Sequence, residues 1–290
     1  MEWLRPAVAA AGGTVSEPAH AQALVWGREP SAKLGELLAG HPGIRWVQLI
    51  EAGVEAHSRL FGDGRLWTSG KGQSAAAVAE HALLLLLAGF RNLKPKARAA
   101  SWGPVDGRTL HGRRVTILGG GGVAQELVRL LAPFHVHVAV VRKHPREMPG
   151  VERVMPFADL LRGVDAADGV VVAGALTPET RGAVDSGVLE AIGPQGWLVN
   201  VARGAWVVTD DLTAALRDQT IAGASLDVTE PEPLPDGHPL WAFDNCLITP
   251  HSANPPSTAD PAIQARVETN IRSYREGTPM TGIVNADLGY

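Results

Sequence analysis

The stretch Val115-Thr-Ile-Leu-Gly-Gly-Gly-Gly-Val-Ala124 decides the fold of this 290-residue chain. It joins an apolar strand pattern, through four glycines, to a helix pattern with apolar residues at 123, 127, 128 and 131. Gly119-x-Gly121-x-x-Ala124 has the form of the dinucleotide-binding fingerprint, in which the first glycine makes a tight turn and the second lets the backbone approach a pyrophosphate. We expect Gly119, Gly121 and the first helical residues, Gly122 and Val123, to bind a dinucleotide cofactor through the free N–H groups of this helix N-terminus.

The end of the next predicted strand, 136–141, bears on which dinucleotide binds. An NAD-binding chain has an Asp or Glu about 20 residues after the fingerprint, which bonds the ribose hydroxyls. Here the strand is followed instead by Arg142-Lys-His-Pro-Arg146. Because cationic side chains bind a 2′-phosphate through charge-assisted hydrogen bonds, Arg142, Lys143 and Arg146 favour NADP(H) over NAD(H). NAD stays an alternative cofactor, and a solvated basic loop stays an alternative interpretation of the cations.

Outward from the glycine stretch, strand and helix patterns alternate along the chain. Further strands are predicted at 169–173, 197–201, 223–228 and 246–249, and a single long helical pattern is predicted over 74–99. The strands are nearly continuous apolar runs, which is typical of a parallel sheet covered on both faces. The sequence therefore predicts an α/β fold with a central doubly wound domain, whose boundaries lie near 101–106 and near 252.

Composition excludes several classes of protein. Hydrophobic residues make up 45% of the chain, which excludes a disordered chain, and a net charge of −4 argues against a general nucleic-acid surface. The single cysteine, Cys246, cannot form an internal disulfide and is predicted to be inert packing in a strand; no metal site is predicted. The apolar run 75–90 contains Glu80 and His81 and is shorter than the ~20 residues of a membrane span. We expect no signal peptide, no membrane segment and a cytoplasmic location.

Three side chains with catalytic potential follow successive predicted strands. Arg203 follows the strand 197–201, Glu232 lies in the proline-rich loop after 223–228, and His251 follows 246–249. Because the carboxyl ends of parallel strands meet at one edge of a sheet, these residues are expected to converge near the glycine loop. A guanidinium fork suits a carboxylate, and an imidazole titrates near neutrality and can transfer a proton. Taken singly, each residue could instead be a surface cation, a solvated loop acid or a core histidine.

In order and spacing, these motifs closely resemble those of the D-isomer-specific 2-hydroxyacid dehydrogenases. Besides the glycine loop, the matching segments are VAEHAL (78–83), LTPETRG (176–182), NVARG (200–204), LDVTEPEPLP (226–235) and TPH (249–251). They span nearly the whole chain. The cations after the second strand, the segment PLW (239–241) and the C-terminal Gly289-Tyr290 are most similar to the NADPH-dependent glyoxylate/hydroxypyruvate reductases in this family.

The resemblance implies a fold and an activity. It implies a Rossmann-type dinucleotide-binding domain, residues 102–252, inserted in a flavodoxin-like substrate (catalytic) domain formed by residues 1–101 and 253–290. It also implies a homodimer that reduces a small 2-keto acid to the D-2-hydroxy acid with NADPH. This chain begins in a predicted helix, Trp3–Ala10, rather than in the apolar strand usual in the family. Two interpretations stay open: a substrate domain that lacks an edge strand, and a sequence that is truncated before that strand.

The resemblance further implies roles for individual residues. Arg203 binds the substrate carboxylate and polarises its carbonyl, His251 is the proton donor, and Glu232 orients the imidazole. Backbone N–H groups in the segment Ala52-Gly53-Val54 bind the substrate carboxylate from the other domain. Three further residues are expected at the cofactor: Thr177, Ala202 and Asp227, the last of them near the nicotinamide. His81 is interpreted as a structural residue packed at a helix interface.

Two other functions stay open. One is an NAD-dependent D-2-hydroxyacid dehydrogenase of another substrate range, which the missing acid after the second strand disfavours. The other is a non-catalytic, NAD(P)(H)-sensing protein similar to the corepressors of this family, which the complete set Arg203, Glu232 and His251 disfavours. In each enzyme interpretation the partner is a small 2-keto or 2-hydroxy acid, and neither nucleic acid nor membrane is expected.

Overall fold

The computed structural model describes residues 3–27 and 29–286, so Gly289-Tyr290 lies outside the described residues. The chain divides into two compact units, one formed by residues up to 74 and from 255 onward, the other by 75–254. The second unit is thus inserted in the first in chain order. Its N-terminal boundary lies at 74–75 rather than near 101, because the helix over 75–90 packs within the second unit. Its C-terminal boundary, at 254–255, lies two residues beyond the predicted one.

The N-terminal part of the first unit is a small α/β layer. It contains helices α1 (Leu4–Ala10) and α2 (Ser31–Gly40) and strands β1 (Ala23–Trp26), β2 (Trp46–Leu49) and β3 (Leu66–Thr68). The strands pair in parallel in the order β1-β2-β3, so they follow one another in chain order. Helix α2 covers this sheet with Leu34 and Leu38, whose apolar side chains share a core with Val47 and Leu49. Strand β3 has three residues, too few to predict from alternation alone.

The second unit is built on a seven-stranded parallel sheet with the order β10-β9-β8-β7-β4-β5-β6. Its strands are β4 (Arg114–Leu118), β5 (His137–Arg142), β6 (Arg153–Pro156), β7 (Gly169–Val172), β8 (Trp197–Asn200), β9 (Gly223–Leu226) and β10 (Cys246–Ile248). Successive side chains enter two separate cores, with Val170 and Val172 on one face and Val171 on the other. This confirms the Rossmann-type sheet covered on both faces. The edge strand β6 is missing from the sequence prediction because it has four residues and ends in a proline.

Helices cover both faces of this sheet. They are α3 (Ala75–Phe90), α4 (Leu93–Arg98), α5 (Gly122–Leu131), α6 (Leu160–Val164), α7 (Ser186–Ile192), α8 (Thr209–Arg217) and α9 (Pro239–Ala242). The prediction of one helix over 74–99 is wrong at residues 91–92, since Asn92 adopts a left-handed conformation (φ 48°) that ends the helical pattern. The N–H of Arg108 then donates to the carbonyl of Phe90, which is the last residue of α3.

The first unit is completed by helix α10 (Pro256–Glu276). Its residue Asn270 is buried and donates a hydrogen bond of 2.7 Å to Gln48 Oε1 on β2. The same oxygen accepts from the hydroxyl of Thr68 on β3 at 2.8 Å. This buried polar cluster joins α10 to the sheet, and its groups are satisfied by one another, as a buried polar group requires.

In the part of the chain that the structure describes, no helix combines the length and the apolar character needed to cross a membrane. The same residues contain no group of three or more His, Cys, Asp or Glu side chains placed to hold a metal ion. Cys246 is fully buried in β10, and burial raises the pKa of its thiol to about 12. Such a thiol stays protonated and unreactive, in agreement with its predicted packing role.

Candidate active site

The strand order creates a crevice at the carboxyl edge of the seven-stranded sheet. β4 and β7 are neighbours, but the chain continues from β4 toward β5 and β6, and from β7 toward β8, β9 and β10. The connections therefore leave in opposite directions, and ligands of doubly wound sheets bind at such a switch point. The predicted cofactor and catalytic residues of this unit all follow the carboxyl ends of its strands or begin α5.

The glycine loop has the geometry that a pyrophosphate needs. Gly119 has φ +113°, and a Cβ there would lie 2.6 Å from the backbone of Gly174, so only glycine fits. A Cβ at Gly121, by contrast, would meet nothing within 4 Å, which leaves open space directly above the backbone. Helix α5 begins at Gly122 and points its first N–H groups into that space, while Ala124 is fully buried against the sheet.

The cations after β5 differ in their surroundings. The side chain of Arg142, the last residue of β5, lies across the glycine loop, since a Cβ at Gly120 would come within 2.8 Å of its guanidinium. Lys143 forms an ion pair of 3.0 Å with Glu179, which lies in the loop after β7. Arg146 is exposed. The structure thus brings Arg142 to the loop, and it adds an acidic partner for Lys143 that the sequence did not predict.

Thr177 and Ala202 lie in ordered turns at the same edge of the sheet. The N–H of Thr177 donates to the Thr180 hydroxyl at 2.8 Å, and that hydroxyl donates to the carbonyl of Ala175 at 2.9 Å. The N–H of Ala202 donates to the Asn200 side chain at 3.1 Å. Hydrogen bonds within the chain thus hold both turns, and the cofactor contacts of Thr177 and Ala202 stay predictions.

His251 and Glu232 form a direct pair. The distance between His251 Nδ1 and Glu232 Oε1 is 2.7 Å, and both side chains are about half exposed. The backbone of His251 has φ +50°, and its N–H donates to the carbonyl of Asp227 at 2.8 Å. Because the carboxylate engages Nδ1, the other ring nitrogen, Nε2, is left to exchange a proton with a substrate.

Arg203 lies next to this pair in the sheet order, because it follows β8 while Glu232 and His251 follow β9 and β10. Its guanidinium donates to the carbonyl of Ala202 at 2.7 Å, and its own carbonyl accepts from Asn200 at 2.9 Å. The next residue, Gly204, packs on the loop after β9, since a Cβ there would lie 1.9 Å from the Thr229 carbonyl oxygen. The loops that carry Arg203 and Glu232 are therefore in direct contact.

Asp227 is buried at the centre of the site. Its Oδ1 accepts from the Thr249 hydroxyl at 2.6 Å and the N–H of Ser252 at 2.9 Å, and Oδ2 accepts from the N–H of Ala253 at 3.1 Å. Burial alone would raise the pKa of this carboxyl, but hydrogen bonds from His81, Thr249 and the two backbone groups outweigh it and lower the pKa to about 2. Asp227 is thus an anion at neutral pH and anchors the turn of His251, and its predicted contact with a nicotinamide stays a prediction.

His81 is a member of this site that sequence reasoning misplaced. Its Nε2 lies 3.1 Å from Thr249 Oγ1 and 3.3 Å from Asp227 Oδ1, so it contacts polar groups rather than only a helix interface. The signal was present in the sequence, since His81 interrupts an apolar helix pattern inside the VAEHAL segment. What the sequence could not provide was the partner, which lies 146 positions further along the chain.

Of the predicted substrate-binding residues, Arg203 and His251 belong to the second unit, and the segment 52–54 belongs to the first. Ala52, Gly53 and Val54 form the loop between β2 and the 3-10 turn Glu55–Leu60, with Val54 buried and Ala52 exposed. Their role toward a substrate carboxylate stays a prediction.

Comparison with known proteins agrees with this geometry. The protein-family model for the NAD binding domain of D-isomer specific 2-hydroxyacid dehydrogenases matches residues 81–253 of this chain. The chain is 31% identical to glyoxylate/hydroxypyruvate reductase A of Serratia proteamaculans, over 92% of this chain and 87% of that protein. It is 33% identical to the glyoxylate reductase/hydroxypyruvate reductase of Homo sapiens, over 70% of this chain and 65% of that protein.

Solved structures show the same likeness. A D-isomer specific 2-hydroxyacid dehydrogenase from Xanthobacter autotrophicus Py2, solved with NADPH and MES, has a TM-score of 0.84 and 31% identity, over 99% of this chain and 95% of that one. An NADPH-dependent glyoxylate/hydroxypyruvate reductase from Sinorhizobium meliloti, solved with NADP and sulfate, has a TM-score of 0.84 and 25% identity, over 100% and 96% of the two chains.

Proposed function

Because this chain belongs to the D-isomer specific 2-hydroxyacid dehydrogenase family, we propose that it reduces a small 2-keto acid to the D-2-hydroxy acid with NADPH. The substrate class that we propose is that of glyoxylate and hydroxypyruvate, on which the named relatives act. The observation that carries the proposal is the 2.7 Å contact between His251 and Glu232, next to Arg203 and at the same sheet edge as the glycine loop.

Each residue has a chemical task in this reaction. The bound nicotinamide supplies the hydride that reaches the carbonyl carbon. Arg203 binds the substrate carboxylate with its guanidinium fork, and the backbone N–H groups of Ala52-Gly53-Val54 contribute to the same task. His251 donates a proton from Nε2 to the carbonyl oxygen as that oxygen gains negative charge. Glu232 holds Nδ1 at 2.7 Å, which fixes the direction of the ring before the transfer.

The glycine loop fits the proposed coenzyme. The open space above Gly121 and the N-terminus of α5 suit the pyrophosphate, with Gly119, Gly122 and Val123 around it. Arg142 lies against the loop and, with Lys143 and Arg146, would bind a 2′-phosphate. Thr177, Ala202 and Asp227 complete the proposed cofactor contacts at the strand ends.

A spectrophotometric screen tests this function. The purified protein is assayed with glyoxylate, hydroxypyruvate, pyruvate and phenylpyruvate, each with NADPH and with NADH. The proposal expects the highest kcat/KM for glyoxylate or hydroxypyruvate with NADPH. A preference for NADH with another keto acid would favour the dehydrogenase of different substrate range. Tight coenzyme binding without turnover of any acid would favour the corepressor-like alternative.

We also propose a homodimer that works in the cytoplasm. The segment after α4 exposes Trp102 and Val105 almost completely, at 98% each, and Leu84 on α3 and Leu93 on α4 are about half exposed. Apolar side chains so exposed and so close along the chain are typical of a surface that another subunit covers. The cytoplasmic location is proposed because the single thiol, Cys246, is buried and reduced, as is usual for proteins of reducing compartments.

A further inference from the structure

His81 has no task in the reaction described above, although its partner Asp227 is one of the proposed cofactor contacts. His81 is on α3, whose residues are apolar except for His81 and the exposed Glu80, and the His81 side chain is only 14% exposed. Removing an imidazole from water costs free energy unless hydrogen bonds replace the lost ones. A histidine held in that environment therefore indicates a specific task for its ring, and its neighbours show which one.

The direction of each hydrogen bond in the cluster follows from the donors available. The Asp227 carboxylate is ionised and can only accept. The Thr249 hydroxyl has one hydrogen atom and directs it to Asp227 Oδ1 at 2.6 Å, so its oxygen is left to accept from the ring. His81 Nε2 must therefore carry a hydrogen atom, in either protonation state of the ring, and direct it to the Thr249 hydroxyl oxygen at 3.1 Å and the Asp227 carboxylate at 3.3 Å.

The cluster continues to the catalytic histidine through the backbone. The carboxylate that His81 contacts also accepts from the N–H groups of Ser252 and Ala253, and the carbonyl of Asp227 accepts from the N–H of His251 itself. These bonds close the turn in which His251 has its left-handed backbone conformation, φ +50°. A non-glycine residue keeps such a conformation only where surrounding bonds impose it.

We propose that His81 is a positioning residue for His251. By donating from Nε2, it fixes the Thr249 hydroxyl and the Asp227 carboxylate in the arrangement that closes the turn of His251, and so it sets where the proton-donating imidazole lies. It takes no part in proton transfer, because its own Nε2 is engaged and its side chain is nearly buried. This inference rests on the proposed reductase function.

Three variants test the proposal. His81→Leu removes the donor, His81→Gln returns an amide N–H at a similar distance from the backbone, and Glu80→Gln is the matched control at an exposed neighbour on the same helix. Because misplacing a catalytic group by about 1 Å costs on the order of 10²-fold in rate, we expect His81→Leu to lower kcat about 10- to 100-fold. The Kd of NADPH should stay near the wild-type value, and His81→Gln should recover most of the loss. Equal losses in the two variants, or a change confined to KM, would overturn the proposal.

A readout without turnover separates this inference from the function on which it rests. In a ¹⁵N-histidine NMR spectrum of the free protein, the His251 signal is assigned by its loss in His251→Ala. His81→Leu should shift that signal, whereas His81→Gln and Glu80→Gln should leave it in place. If the wild-type protein is inactive but the variants shift the His251 signal as expected, the reductase function is contradicted and the positioning role is supported. An unmoved signal would remove the positioning role. If His81→Leu does not fold, Thr249→Val replaces it and must shift the signal in the same way.

Discussion

At the scale of single residues, His251 combines a constrained backbone with an acidic partner. Its N–H is bonded to Asp227, and its Nδ1 is bonded to Glu232, so both the main chain and the ring are held. An imidazole with one nitrogen fixed in this way presents the other in a constant direction, which is what proton transfer to a bound carbonyl requires.

His251→Ala and Arg203→Ala should each lower kcat/KM for the preferred 2-keto acid by roughly 10²–10⁴-fold, because a positioned proton donor contributes about that much. Glu232→Gln keeps a hydrogen-bond acceptor but loses the charge, and a smaller loss is expected. Steady-state kinetics at saturating NADPH measure each effect. Turnover close to that of the wild type in His251→Ala would exclude this residue as the donor.

Glu179 is expected to reduce the preference for NADPH. It pairs with Lys143 at 3.0 Å and so neutralises one of the three cations proposed to meet the 2′-phosphate. Glu179→Gln releases that ammonium group, and we expect the ratio of kcat/KM for NADPH to that for NADH to rise several-fold, since a charge-assisted hydrogen bond contributes about 1.5–3 kcal/mol at most. Arg142→Ala, which removes the cation next to the glycine loop, is the opposing variant and should lower the same ratio. A ratio that Glu179→Gln leaves unchanged would show that Lys143 does not reach the coenzyme.

Asp227 makes the stability of the protein depend on pH in the acid range. The pKa of its carboxyl is lowered from 3.8 to about 2 in the folded protein, so the unfolded chain binds the proton more tightly. The resulting stabilisation, about 2 kcal/mol, is complete above pH 4 and is lost as the pH falls through about 2. Urea unfolding of the wild type and Asp227→Asn should give a difference in stability that is constant from pH 7 to about 5 and decreases below pH 4. A difference independent of pH would contradict the ionised state.

The placement of the candidate residues at the strand ends and the pairing of Glu232 with His251 were predictable from the sequence, whereas two other side-chain pairs were not. Arg203, Glu232 and His251 stand at successive strand ends, where position along the chain already indicates position in the sheet. The pairs His81 with Asp227 and Lys143 with Glu179 join residues far apart in sequence. The packing of α3 on the sheet brings His81 to Asp227, and the packing of two loops side by side brings Lys143 to Glu179. Neither contact is marked by a local pattern in the sequence.

At the scale of elements, apolar patterning was sufficient where an element is long or fully buried. Helix α7, Ser186–Ile192, has clear sequence signals at both ends, because Asp185 caps its first turn and Gly193 follows its last residue. The short strands β3 and β6 lacked such signals. Because the helical pattern of the sequence continues beyond Asn92, the sequence predicts one helix as far as residue 99. In the structure α3 ends at Phe90, since the backbone of Asn92 adopts a left-handed conformation.

The glycine loop offers a matched pair of substitutions. Gly119→Ala forces a side chain into a left-handed conformation and against Gly174, so we expect a loss of stability of about 1–3 kcal/mol. Gly121→Ala has free space and should leave the melting temperature nearly unchanged, while the added methyl group obstructs the pyrophosphate and weakens NADPH binding at least tenfold. Thermal unfolding and coenzyme fluorescence titration measure the two effects. Undiminished NADPH binding by Gly121→Ala would show that the pyrophosphate lies elsewhere.

At the scale of the whole molecule, the exposed apolar segment after α4 allows a test of the proposed homodimer. Trp102→Asp together with Val105→Asp places two charges where apolar side chains are 98% exposed, so a monomer would tolerate them with little change in stability. If a second copy covers the segment, burying those charges is costly, and the dimer should dissociate. Light scattering after size exclusion should report a dimer for the wild type and a monomer for the variant. A wild type that is monomeric at micromolar concentration would exclude the homodimer.

The discontinuity of the first unit in sequence affects how the protein folds during translation. Residues 75–254 contain every strand of the seven-stranded sheet, so this unit can fold as soon as that continuous segment has emerged. The first unit can complete its fold only later, because Asn270 on α10 bonds Gln48, which was synthesised 222 residues earlier. During that interval Trp46 has no access to Val267 and Ile271, its later core partners, and the N-terminal layer exposes apolar surface. Translation of this chain therefore has a defined period of vulnerability to aggregation, which ends when α10 emerges.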